Sequence, residues 1–193
     1  MQHIEAEFVA SATGLDNCPR WSRAEIAIVG RSNVGKSSLL NALTGKRGLA
    51  RTSRTPGRTQ AINFFKLGES IALVDLPGYG YAKMPQALAA QIATMMRDFL
   101  EARSNLVALI LLIDSRRGPQ REELELAASV RERGLALIVA ATKCDKLKRS
   151  ERNAAVARMA AIGGEPLLCS AETGEGIDVL RRRVMSVGKL KPT

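Results

Sequence analysis

The chain has 193 residues, 46% of them hydrophobic and 25% charged, and 29 lysines and arginines against 19 aspartates and glutamates give a formal charge of +10. That length and balance fit one domain with its own core and exclude a disordered chain. No apolar run is long enough to cross a bilayer, and no basic segment followed by an apolar one opens the sequence, so a cytoplasmic protein off the membrane is expected.

Residues 1–24 show no clear period and are expected as a loosely ordered extension ahead of a single domain over 25–188. A strand is predicted over 25–29. It runs into Gly30-Arg31-Ser32-Asn33-Val34-Gly35-Lys36-Ser37. Two glycines separated by four residues and followed by Lys-Ser suit a phosphate-binding loop. The glycines let backbone N–H groups turn inward on phosphate oxygens, and a helix beginning near Lys36 adds the positive end of its dipole. Lys36 is then placed to reach the β- and γ-phosphates, and the Ser37 hydroxyl to ligate magnesium. Residues 46–58 follow with Lys46, Arg47, Arg51, Arg54 and Arg58 and no acid. Within the string Thr55-Pro56-Gly57-Arg58-Thr59-Gln60, which reads as a mobile loop, Thr59 is the candidate second hydroxyl ligand for magnesium, with Thr52 and Thr55 as rivals.

Strands predicted over 61–67 and 71–75 are separated only by Gly68, Glu69 and Ser70, which implies an antiparallel hairpin at one edge of the sheet. The second strand ends in Asp75, followed by Leu76, Pro77 and Gly78. Asp75 can hold magnesium through a water, and the Gly78 N–H can contact the third phosphate. Leu88, Ile92, Met95 and Phe99 place one apolar stripe on a helix over 85–103 that Pro85 can start. Further strands are predicted over 106–114 and 135–142, the latter leading into Thr142-Lys143-Cys144-Asp145. A carboxylate at Asp145 can accept from the ring N–H and the exocyclic amino group of guanine. Adenine lacks both donors, and choosing it would leave a partly buried carboxylate unpaired, at about 1.5–3 kcal/mol. Lys143 can lay its stem over the base.

A last strand over 166–170 ends in Cys169-Ser170-Ala171, where a backbone N–H can donate to the guanine oxygen. Cys144 and Cys169 read as small fillers beside the base. With Cys18 they are too few and too scattered for a disulfide framework, and the lone His3 argues against a zinc site or a histidine-activated nucleophile. Near the end, Ile177, Leu180, Val184 and Val187 repeat a helical stripe that leaves Arg181, Arg182 and Arg183 to face solvent or a partner, ahead of a basic tail over 189–193. Strands alternating with helices imply an α/β domain of three layers, a mostly parallel sheet with helices on both faces and ligands at the carboxyl ends of the strands.

The strings GRSNVGKSSLLNAL (30–43), TPGRTQAINFF (55–65), DLPGYGYAK (75–83) and TKCDKL (142–147) resemble those of the EngB family, also called YihA or YsxC, in the Era-like group of translation-factor-class GTPases. The resemblance covers nearly the whole chain. It implies a six-stranded Ras-like P-loop domain with one antiparallel edge strand, GTP and Mg2+ binding, a role in maturing the large ribosomal subunit, and a requirement in cell division and septation. The implied partners of a monomeric chain are GTP or GDP, the large-subunit precursor and ribosomal RNA. Carried over by position, guanine nucleotide contacts fall on Gly30 to Ser37, on Gly57, Arg58, Thr59, Gln60 and Ala61, on Asp75 to Gly78, on Thr142 to Asp145, and on Cys169, Ser170 and Ala171. Ser37 and Thr59 become the magnesium ligands.

In Ras-type GTPases a glutamine just after the Asp-x-x-Gly motif orients the attacking water. Here Tyr79 holds that position. A phenol cannot copy the amide's paired donor and acceptor, so slow intrinsic hydrolysis is expected. Catalysis then rests on Lys36 and Thr59, with Asn33 and carbonyls of the 46–58 loop holding a potassium ion beside the phosphates; the alternative is that Asn33 only shapes the turn. Bound triphosphate with its divalent ion contributes about −2, so most of the +10 needs another counter-charge. Ribosomal RNA phosphates against the cluster over 181–191 are the expected one, with a solvated helix surface as the alternative. Two further readings stand beside the switch: a module that holds GTP with negligible turnover, and a small-molecule kinase. Thr142 to Asp145 weigh against the second.

Overall fold

The computed structural model describes residues 5–50, 61–80 and 84–190. Its strands are β1 (Ala6–Ala12), β2 (Ala24–Gly30), β3 (Ile62–Leu67), β4 (Ile71–Asp75), β5 (Leu106–Asp114), β6 (Ala136–Thr142) and β7 (Leu167–Leu168). Its helices are α1 (Lys36–Thr44), α2 (Gln86–Ala102), α3 (Arg121–Glu132), α4 (Arg152–Arg158) and α5 (Ile177–Val187). The strands form one sheet in the order β1-β3-β4-β2-β5-β6-β7.

Central strand β5, and β2 beyond Glu25, read as apolar runs because helices cover both faces of a parallel sheet. Alternate residues feed separate cores. Ile26 and Ile28 of β2, with Ile110 of β5, pack against Leu39, Leu40 and Leu43 of α1 and Leu180 and Val184 of α5. Ala27 and Val29, with Leu109 and Leu111, pack on the other side against Ile92, Met96 and Phe99 of α2 and Val130 of α3. Strand β2 pairs in parallel with β4 on one side and β5 on the other. The strand order therefore reverses at β2, and the crevice beyond its carboxyl end is where an open α/β sheet receives ligands.

The expected antiparallel strand is present as β3, one place in from the edge. The edge itself is β1, from the stretch expected as a loosely ordered extension, and it makes the sheet seven-stranded rather than six-stranded. A bulge between Phe8 and Ala10 hides its period. Ala6 joins one core and Ala12 the other, although residues six apart in a regular strand share a face. The predicted strand over 166–170 shrinks to Leu167–Leu168. The apolar stripe of α2 falls where predicted, whereas α3 announces itself by the Gln120 and Glu123 capping box rather than by apolar period.

Residues 15–24 are tied down by charge. Glu25, fully buried, accepts from Trp21 Nε1 at 2.7 Å and from Arg103 Nη2 at 2.6 Å and Nε at 2.8 Å. Arg103 also donates to the Pro19 carbonyl, and Arg23 to the Gly68 carbonyl at 2.8 Å. Removing one partner of such a pair strands a buried charge. Arg103→Met is expected to cost about 3–5 kcal/mol in urea denaturation, with Glu25→Gln/Arg103→Met recovering part of the loss.

Candidate functional site

Past β2, Gly30 meets the sheet so closely that a Cβ there would fall 2.8 Å from Val34 Cγ1 and 3.0 Å from Leu112. Asn33 and Gly35 both take positive φ, at 63° and 100°. Those two left-handed residues wrap the loop into the start of α1, whose N-cap Gly35 supplies no side-chain cap. The free N–H groups of a helix's first turn, with its dipole, make an anion seat. Lys36 and Ser37 occupy that turn.

In the β2–β4 register Ile28 faces Asp75, and Leu76 N–H donates to the Ile28 carbonyl at 3.1 Å, so the end of β4 lies level with the start of the phosphate loop. Lys36 Nζ donates to Asp75 Oδ1 inside this corner, with 10% and 5% of the two side chains exposed. Mg2+ takes hard oxygen ligands, typically one or two from protein and the rest from substrate phosphates and water. The Ser37 hydroxyl and the Asp75 carboxylate beside a phosphate seat fit that requirement. When bound, the ion supplies Lewis-acid polarisation of the phosphoryl oxygens.

The base side grows from β6. Asp114 and Thr142 are register partners, so the loops after β5 and β6 leave the sheet together. Thr142 Oγ1 donates to the Val34 carbonyl at 2.7 Å, and Lys143, itself at φ 59°, donates from Nζ to the Asn33 carbonyl at 2.6 Å. The residues read as base-recognising thus also fasten the phosphate loop. Lys143 Nζ further pairs with Asp114 Oδ2 at 3.1 Å.

Asp145 is aimed by Ser170, whose buried hydroxyl donates to Oδ1 at 2.7 Å while accepting the N–H groups of Glu172 and Thr173. That hydrogen bond holds the Asp145 carboxyl below the usual carboxylate range, so the group is an acceptor at neutral pH. Val34, Gly35, Ser38, Leu39, Thr142, Lys143, Asp145, Lys146, Ala171 and Glu172 line one concavity. Ser38, Leu39, Lys146 and Glu172 escaped the sequence reading, although each neighbours a motif residue. Cys144 and Cys169 are buried, with Cys144 N–H donating to the Cys169 carbonyl at 3.2 Å. Burial pushes their thiols up to about 11 and about 12, which suits fillers and not reactive thiols.

The Tyr79 side chain is committed to α3. Its hydroxyl donates to Glu123 Oε1 at 3.0 Å on α3, while its carbonyl accepts Ser32 N–H at 2.8 Å. Burial and then the Glu123 carboxylate push its phenol well above the ordinary value, so it stays a donor. Ala61 precedes β3, and Gly57, Arg58, Thr59 and Gln60, with the rivals Thr52 and Thr55, lie outside the described residues.

The arrangement matches known proteins. The sequence pattern of a family described as 50S ribosome-binding GTPases matches residues 25–143. A probable GTP-binding protein EngB of Solibacter usitatus is 46% identical over 177 residues, covering 92% of this chain and 93% of its own. The chain belongs to the EngB family of GTPases. The EngB protein of an Anaeromyxobacter species is 43% identical over 199 residues, covering 96% of this chain and 92% of its own. A crystal structure of a probable EngB protein superposes with a TM-score of 0.71 at 27% identity, covering 86% of this chain and 99% of that one. Aquifex aeolicus Era, at 20% identity and a TM-score of 0.64 over 90% of this chain and 62% of its own, shares the fold. As an EngB GTPase the chain binds guanine nucleotide with its accompanying Mg2+.

One expectation drawn from the helical stripe of α5 needs correction. The arginines over 181–183 do not all face outward. Arg181 caps α1, donating from Nε to the Leu43 carbonyl at 2.9 Å and from Nη2 to the Ala42 carbonyl at 3.2 Å, and it pairs with Asp178 at 2.7 Å. Arg183 pairs with Glu165 at 3.3 Å. A cation at a helix carboxyl end is stabilising, a use that apolar period alone does not reveal.

Proposed function

We propose that the protein is a slow GTPase switch in assembly of the large ribosomal subunit, monomeric and cytoplasmic, and required for division and septation. The observation that carries the slow chemistry is the Tyr79 hydroxyl committed to Glu123. No side chain of the Asp75 to Gly78 segment replaces the water-orienting amide of Ras-type enzymes. The large-subunit role rests on kinship with a family described as 50S ribosome-binding. No helix among the described residues is long and apolar enough to cross a membrane.

Slow turnover leaves room for an added cation. Asn33 sits in the left-handed region at the head of the phosphate loop, where its amide oxygen can join loop carbonyls around potassium. Turnover is expected to rise at least tenfold in potassium over sodium, and Asn33→Ala to erase the difference while GDP affinity holds. Equal turnover in both salts would sink the potassium assignment.

Co-sedimentation with large ribosomal subunits in GTP against GDP tests the switch. Binding favoured by GTP, with single-turnover hydrolysis quickened by the subunit, is expected. Binding that ignores nucleotide, with no turnover, would instead establish a GTP-holding module.

A further inference from the structure

The charge has a centre that the linear sequence disguises. Parallel pairing brings the loop over 115–119, after β5, beside the loop over 143–150, after β6, and Ser115 N–H donates to the Thr142 carbonyl at 3.0 Å. These thirteen residues hold Arg116, Arg117, Lys143, Lys146, Lys148 and Arg149 against the single carboxylate of Asp145. Their net +5 is half of the chain's formal +10. Among the described residues, Arg116 and Lys146 have only the site carboxylates Asp114 and Asp145 as ion-pair partners, at 2.7 and 3.2 Å. Arg117, Lys148 and Arg149 are exposed and form no ion pair among the described residues. On α5, by contrast, Arg181 and Arg183 are spent on Asp178 and Glu165, leaving Arg182, and Lys189 just past the helix, as the exposed cations there with no ion pair among the described residues.

We propose that this rim around the base end of the crevice, and not the α5 face, is the surface that receives ribosomal RNA, through phosphate contacts. The inference rests on the ribosome reading above and assigns it a place. Like charges held together on neighbouring loops raise the local potential, and each phosphate they neutralise releases condensed counterions. No exposed aromatic stands on either loop, so the contacts read backbone and not stacked bases. The rim rides on the loops that hold guanine, and none of its three unpaired cations belongs to the segments that meet the third phosphate. RNA docking there follows salt in the same way in GTP and GDP.

The test is Arg117→Gln/Lys148→Gln/Arg149→Gln, with Arg182→Gln/Lys189→Gln as the α5 counterpart. Both are titrated across salt against intact large ribosomal subunits and against large-subunit ribosomal RNA freed of protein. GDP affinity reports that each variant is folded. The rim variant is expected to bind both probes about 10- to 100-fold more weakly, with the slope of log affinity against log salt flattened by about 2–3, and the α5 variant to change little. An unchanged slope for the rim variant, or flattening only in the α5 variant, overturns the proposal. Weakening toward intact subunits but not free RNA also overturns it, by naming a ribosomal protein as the partner. Failure of the unsubstituted chain to bind either probe would instead refute the ribosome reading itself.

Discussion

Replacing Lys36 with methionine is expected to abolish triphosphate binding and also to destabilise the nucleotide-free protein by about 3–5 kcal/mol. The second effect follows from the corner at β4. Asp75 is 4% exposed, and Lys36 is the cation that pairs with it. Removing the lysine leaves a buried carboxylate without its counter-charge, which is far more costly than the pair itself is stabilising. Lys36→Met/Asp75→Asn removes both charges and is expected to regain most of the stability while staying unable to hydrolyse GTP. Urea denaturation without nucleotide measures the stability and fluorescent-nucleotide titration the triphosphate binding. Full stability in Lys36→Met alone would show that the ion pair does not hold the corner together.

Asp145→Asn is expected to weaken GTP binding about 10- to 150-fold, the equivalent of losing a charged hydrogen-bonding partner worth about 1.5–3 kcal/mol. The amide can turn one donor toward the base, so xanthosine triphosphate, which carries a carbonyl where guanine has its amino group, gains as GTP loses. Fold is preserved because Ser170 can donate to an amide oxygen as it does to the carboxylate. Ser170→Ala moves affinity the same way by less, since it frees the carboxylate from its aim without removing it. Competition between GTP and xanthosine triphosphate in both variants is the measurement; an Asp145→Asn protein with undiminished preference for GTP would remove Asp145 from base recognition.

The central strands were legible because apolar runs bounded by glycine and charge have few other uses, and predicted ends over 71–75 and 106–114 agree with β4 and β5. The motif residues were legible because phosphate and guanine each demand a narrow chemistry. What stayed hidden depended on long-range contact. The bulge in β1 scrambles its alternation, and the partners of Arg181 on α1 lie well over a hundred positions away in the chain. Glu123 as the acceptor for Tyr79 could not be read from either residue, because helix α3 and the turn after β4 meet only in the folded sheet. The Glu123 carboxylate also accepts the Gln120 N–H at the start of α3, and that start was not read from the sequence.

Helix α1 is among the first elements made, and Arg181, which closes its carboxyl end, is among the last, 138 residues beyond Leu43. Leu180 and Val184 of α5 complete the apolar bed on which Leu39, Leu40 and Leu43 rest. During synthesis the phosphate loop therefore leaves the ribosome long before its supporting helix can be seated. Contacts this distant in sequence form late and slowly. A message broken between the codons for Ala171 and Ile177 yields a product that carries every GTP motif yet lacks the helix that packs behind the first of them.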